Sequence, residues 1–239
     1  MTSQTPFTPG NLPLPQVPSD DLNADPRCPV VLVLDTSASM GGQPIAELNA
    51  GLAQFRDELA DDKLARKRVE VSIITCGGTA TRLHDFQTAL TWEPPTLVAA
   101  GQTPLGAAID LALDTIRQRK DSIRAQGLSL YRPWIFIISD GAPTDVWAAA
   151  AGRLHDEVFR FGVAAFVVGV NDADMAILGE IAKPSQALKL RGLQFRDLFL
   201  WLSASLSRVS RSRPALPGGG DPEQVKLDNP ATPNGWASI

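Results

Sequence analysis

Asp35, Ser37 and Ser39 stand at alternate positions, directly after the apolar run Val30-Val31-Leu32-Val33-Leu34 and just before Gly41-Gly42. One carboxylate and two hydroxyls are hard oxygen donors grouped with little formal charge. That set suits a hard divalent cation, Mg²⁺ first, with Mn²⁺ or Ca²⁺ as alternatives. Taken alone, the segment has a second, less favoured reading as a Ser-rich turn that caps the helix after it. Two distant segments favour the cation. Gly101-Gln102-Thr103-Pro104-Leu105 reads as a turn opening a helix, with Pro104 near its first position, and it adds the hydroxyl of Thr103. Ile135-Phe136-Ile137-Ile138-Ser139-Asp140-Gly141 is a second apolar run that ends on a carboxylate. Asp35, Ser37, Ser39, Thr103 and Asp140 together make a plausible oxygen site.

The elements that must position these donors are legible too. Both apolar runs are rich in β-branched residues and too short for a helix, as strands buried on both faces are. Their last side chains then sit at the carboxyl edge of a parallel sheet, where open α/β folds bind ligands. Strand and helix signals alternate along the chain, which predicts an α/β fold with a mostly parallel sheet and right-handed crossovers. Pro44 begins a helix whose Ile45, Leu48, Leu52, Phe55 and Leu59 recur at helical spacing. Val69–Cys76 and Thr79–Phe86, joined by Gly77-Gly78, predict a hairpin and hence one antiparallel edge strand. Leu105, Ile109, Ala112 and Ile116 line the next helix, and Asp145 is expected to cap a helix running to Phe161. Val163–Val168 reads as a strand, Asp174–Ala182 as a short helix and Leu188–Leu190 as the last strand. Phe195, Leu198, Phe199, Leu202, Leu206 and Val209 form the apolar stripe of a closing helix.

The order Asp-x-Ser-x-Ser, then Thr, then Asp-Gly resembles the metal-ion-dependent adhesion site of the von Willebrand factor A family, over roughly Pro29 to Val209. Within that family the chain looks like the TerY-like proteins of bacterial tellurite-resistance and stress clusters. Leu34–Met40, Pro94-Pro95-Thr96-Leu97, Gly101–Ala108, Arg132-Pro133-Trp134, Ser139–Asp145 and Phe199–Ser205 carry that likeness. Two features depart from it: Gln102 stands where a second Gly is expected, and the segment before Arg27 is long. The resemblance implies a doubly wound, Rossmann-like sheet with helices on both faces. It also implies that Ser37, Ser39 and Thr103 bind the metal directly, while Asp35 and Asp140 often reach it through water. The open position on the ion would take an Asp or Glu of a protein partner. A Ser/Thr kinase and a phosphatase of the protein phosphatase 2C type are the partners this likeness suggests. The rival reading is a regulatory subunit of a MoxR-like AAA+ ATPase.

Either reading is binding rather than turnover, so the chain is expected not to be an enzyme. A haloacid-dehalogenase-like phosphatase would need an acid two residues after Asp35, where Ser37 stands. Gly41-Gly42 does not supply the G-x-G-x-x-G of a dinucleotide site. Ser37 lacks the glycines of a nucleophile elbow, and both His84 and His155 are expected at the surface, away from the metal edge.

The chain has 239 residues, 44% of them hydrophobic, enough for one well-buried domain. A net charge of -4 argues against bulk binding to nucleic acid or to an anionic membrane. No stretch reaches membrane-spanning length and no leader pattern opens the chain, so a cytoplasmic protein is expected. Cys28 and Cys76 fall at opposite ends of parallel strands and are expected as two buried thiols. Residues 1–27 form a flexible Pro-rich arm in which Phe7, Leu12, Leu14 and Val17 could anchor a partner, and residues 28–210 are the domain. Residues 211–239, with Gly218-Gly219-Gly220, are expected to be a disordered tail. At its start Arg208, Arg211 and Arg213 alternate with Ser207, Ser210 and Ser212, either as cations at a helix end or as a phosphorylation segment.

Overall fold

β1 (Cys28–Asp35), β2 (Val69–Gly77), β3 (Thr79–Thr88), β4 (Trp134–Ser139), β5 (Ala164–Gly169), β6 (Leu188–Leu190) and β7 (Ala237–Ser238) build one sheet in the order β3-β2-β1-β4-β5-β6-β7. The structure is a computed structural model that describes residues 24–140, 143–216 and 222–238. β2, β1, β4, β5 and β6 run parallel, whereas β3 and β7 are antiparallel to their neighbours. The helices are α1 (Gln43–Asp61), α2 (Ala65–Arg68), α3 (Leu105–Ala125), α4 (Ala148–Phe159), α5 (Met175–Ala182) and α6 (Phe195–Arg211).

Alternation along β1 sends its side chains to two cores. Val30, Leu32 and Leu34 pack with Leu48, Leu52, Phe55 and Leu59 of α1 and with Phe195, Phe199 and Leu202 of α6. Val31 and Val33 pack with Leu105, Ile109 and Ala112 of α3, Leu154 of α4 and Leu178 of α5. Every residue of β1 is buried, as the continuous apolar run requires of a central strand covered by helices on both faces. The strand order reverses at β1, whose two neighbours are β2 and β4. The carboxyl ends of β1 and β4 therefore flank the switch point, where such sheets bind ligands.

Cys28 stands opposite Val69 and Cys76 opposite Asp35, so the thiols lie at opposite ends of the sheet. Both are free and buried. Burial, aided by the charge of Glu70, pushes the Cys28 thiol up to about 12. Below the sheet's amino edge Glu70, 4% exposed, takes two hydrogen bonds from Arg119 (2.8 and 2.6 Å) and pairs with Arg27 Nε at 3.0 Å.

The arm expected over 1–27 falls mostly outside the described residues, but its end belongs to the domain. Arg27 is buried, exchanges main-chain hydrogen bonds with Ser129 and Tyr131, and Asp25 pairs with Arg68 at 3.0 Å.

The disordered tail expected from 211 does not hold for residues 222–238. β7 extends the sheet beyond β6, Trp236 is 4% exposed and stacks edge-on against Trp201 at 5.6 Å between ring centroids. Trp201 Nε1 donates to the Asp228 carbonyl, and Arg208 pairs with Asp228. A polar, Pro-rich composition hid this because few side chains, Trp236 first among them, do the anchoring. β6 is therefore not the last strand, and the sheet has two antiparallel edges where one was expected.

Ser210 of the Arg/Ser segment is fully buried, its carbonyl accepting from Arg68 Nη1 (2.6 Å) and Tyr131 Oη (2.8 Å). Arg211 pairs with Asp62. These contacts fit the helix-end reading of the segment better than the phosphorylation one.

Candidate metal centre

Asp35 ends β1 fully buried, and both of its carboxylate oxygens are held. The Ser37 N–H donates to Oδ1 at 2.8 Å, a short turn that fixes the chain as it leaves the strand. Ser139 Oγ, at the end of β4, donates to Oδ2 at 2.6 Å. Ser139 was not singled out in the sequence as a site residue. The signal was present, since it is the one hydroxyl in the otherwise apolar β4.

Ser37, Ser39 and Asp140 form a continuous chain of hydrogen bonds. The two hydroxyls share a bond of 2.9 Å, and Ser39 Oγ donates to Asp140 Oδ1 at 2.8 Å. Four of the five expected donors are thus drawn together from two strand ends 101 to 104 residues apart in sequence. Burial raises the Asp140 carboxyl above its ordinary value, the Ser39 hydrogen bond lowers it, and the charge of Asp35 raises it again. A carboxylate partly stripped of water and facing another is what a bound cation would relieve.

Thr103, 4% exposed, is brought alongside by main-chain bonds. The Ala38 N–H donates to Gly101 O (3.0 Å), Ala100 N–H to Thr36 O (2.8 Å) and Thr144 N–H to Thr103 O (2.9 Å). Gly101 has φ +76, and a Cβ there would lie 2.6 Å from the backbone of Gly78. The loop reaches the metal edge only because no side chain separates it from the β2–β3 hairpin.

Asp145 does not cap the helix that follows it. α4 begins at Ala148 and ends at Phe159, with no side-chain cap. The Asp145 carboxylate instead accepts from Gly106 N–H (3.0 Å) and Ala107 N–H (2.8 Å), at the start of α3. Pro104 leaves that helix start without a capping side chain of its own, so one arriving from another loop serves. A Cβ on Gly106 would lie 2.7 Å from Trp147 Cα and 2.8 Å from Val146 O, so the approach of the two loops requires glycine.

The donor set fits a hard cation. The hydroxyls of Ser37 and Ser39 and the carboxylate of Asp140 are joined, Asp35 is held beside them by the Ser37 N–H, and the loop of Thr103 is bonded alongside. Among the described residues no group of three or more His, Cys, Asp or Glu offers a more charged cluster. Beside Ser39 and Asp140 opens a cavity of about 580 Å³, lined also by Asn171, Asp172, Lys189, Leu190, Gly192 and Leu193. The histidines take no part. Trp92 Nε1 donates to His84 Nε2 at 3.2 Å, and the His155 ring faces the carbonyls of Glu180 and Ile181.

The profile of the von Willebrand factor type A domain matches residues 30–194, from the first apolar strand to the start of the last helix. The chain belongs to the von Willebrand factor type A domain family. Domains of this family typically serve as metal-dependent adhesion or protein-interaction modules.

Solved structures show the same fold. Proximal thread matrix protein 1 from the mussel byssus is 15% identical, with a TM-score of 0.57 over 77% of this chain and 46% of that one. The ArnB paralog VWA2 from Sulfolobus acidocaldarius is 17% identical, with a TM-score of 0.50 over 77% of this chain and 45% of that one. An aerotolerance-related membrane protein from Bacteroides fragilis is 17% identical, with a TM-score of 0.51 over 75% of this chain and 98% of that one. The chain thus spans under half of the first two. No curated protein matches. Among the described residues no helix is long and apolar enough to cross a membrane.

Proposed function

We propose that this domain is a binding module that presents Mg²⁺ or Mn²⁺ to an Asp or Glu of a partner protein, without turnover. The ligands are Ser37, Ser39 and Thr103, with Asp35 and Asp140 behind them. The observation that carries the reading is the hydrogen-bonded chain Ser37–Ser39–Asp140, built from two strand ends and opening on a cavity. An ion held mainly by neutral hydroxyls keeps more of its charge than one ringed by carboxylates, and so attracts a further carboxylate. The protein's own work is positioning. Ser139 and the Ser37 N–H hold Asp35, while Asp145 holds the start of α3 and with it the loop of Thr103.

The setting we propose is cytoplasmic, in a bacterial tellurite-resistance or stress system with a kinase and a protein phosphatase 2C-type partner. Its support is the run of TerY-like motifs, among them Ser139–Asp145, whose Thr144 and Asp145 fasten the Thr103 loop. Service to a MoxR-like AAA+ ATPase is the alternative, and the genes beside this one separate the two.

The test is a pull-down from the native host, using the full chain with Mg²⁺, with EDTA, and as Thr103→Ala. The account expects a partner retained only by wild type in Mg²⁺. A partner retained equally in all three would make the site structural.

A further inference from the structure

Lys189 stands in register with Ser139 across a single glycine. Ser139 pairs with Gly169, and Gly169 pairs with Lys189. Neighbouring strands lie about 4.8 Å apart, so the Cα atoms of Ser139 and Lys189 are roughly 10 Å apart. Gly169 adds no side chain of its own, and Met175, Leu178 and Ala173 fill the space a Cβ would take there, so what the two positions share is the carboxyl edge of the sheet. The lysine lines the same cavity as Ser39 and Asp140, and it is the one cation among that cavity's lining residues. Among the described residues no carboxylate pairs with it, whereas nearby Arg191 is committed to the carbonyls of Pro233 and Gly235 (2.7 and 2.9 Å).

We infer that Lys189 is a second anchor for the partner, which therefore carries two acids on one face of an extended segment. This rests on the metal-presenting reading, in which the first acid meets the ion. Residues two apart in an extended chain lie about 6.7 Å from each other on the same face. That span suits one carboxylate at the ion and the next at the lysine ammonium, whose flexible stem covers the remaining distance. The recognised pattern is acid-x-acid. Asp172 lines the same cavity and repels an acid placed beside it, so the groove selects where acids stand as well as how many.

The experiment is selection from a phage-displayed library of random heptapeptides on the full chain in Mg²⁺, as wild type, Lys189→Ala and Lys189→Glu. Wild type is expected to enrich acid-x-acid peptides. Lys189→Ala should bind them about tenfold more weakly, and Lys189→Glu should select Lys or Arg at the second position. The Mg²⁺-dependent rise in melting temperature should be the same in all three proteins. Identical peptides and affinities from all three would overturn the role of Lys189. Failure of the metal reading looks different: acid-x-acid peptides would still be retained in EDTA and by Asp35→Ala. A wild-type protein that retains no peptide in Mg²⁺ contradicts both.

Discussion

The carboxylate of Asp145 caps helix α3 by accepting from the Gly106 N–H at 3.0 Å, although 39 residues separate the two. Through this contact the loop after β4, which follows Asp140, is tied to the helix whose preceding loop carries Thr103. A helix start satisfied from elsewhere couples the two loops of the candidate metal centre.

Removing the cap as Asp145→Ala should cost about 1–2 kcal/mol of stability. It should also weaken Mg²⁺ binding, because Thr103 loses its fixed position. Gly106→Ala should do the same through the clash with Trp147 and Val146. Chemical denaturation and a Mg²⁺ titration of each variant check this. Variants that lose stability but bind Mg²⁺ as wild type would show that the two loops are not coupled.

This contact also shows where the sequence is readable and where it is not. The strands, the helical stripes and the donors Asp35, Ser37, Ser39 and Asp140 are local patterns, because burial and strand ends impose period and position on nearby residues. Asp145 looked like a cap for the next helix, since proximity in sequence is the only distance a sequence displays. Ser139 and Trp236 escaped for the same reason. Each takes its part from a residue far along the chain, Asp35 for one and Trp201 for the other.

Trp236→Ala should destabilise the protein by about 3 kcal/mol, a fall of roughly 6–12 °C in melting temperature. Deleting residues 222–239 should cost at least as much, because β7 and the Trp201–Trp236 contact go together. Thermal denaturation followed by circular dichroism measures both. An unchanged melting temperature would mean that the tail does not pack on the domain.

Glu70→Ala should be severe, at about 3–5 kcal/mol, since it leaves Arg27 and Arg119 without their shared carboxylate. Arg27 is the more exposed to this loss, as burial already disfavours its charge. Urea denaturation reads the cost. A change below about 1 kcal/mol, the scale of surface pairs, would place the triad in solvent.

Asp140 gives a signed pH dependence. Its carboxyl is raised in the folded protein above the ordinary 3.8, so the metal-free fold gains stability as pH falls through the raised value. Metal binding needs the carboxylate and runs the other way. The Mg²⁺-dependent rise in melting temperature should therefore fade on acidification while the pH is still above 3.8. Melting curves with and without Mg²⁺ across that range test it. A rise that persists down to the ordinary carboxylate value would remove Asp140 from the ion's surroundings.

The most direct measurement is calorimetric titration of the full chain with Mg²⁺ and Mn²⁺, in wild type, Asp35→Ala and Ser39→Ala. A cation that binds only the folded state stabilises it by about 2.7 kcal/mol at a hundredfold excess over its Kd, so melting curves on the same samples give a second reading. The account predicts one site in wild type, no heat of binding in either variant, and a melting temperature that rises with metal only in wild type. Equal binding in wild type and Asp35→Ala would place the cation elsewhere and contradict the account.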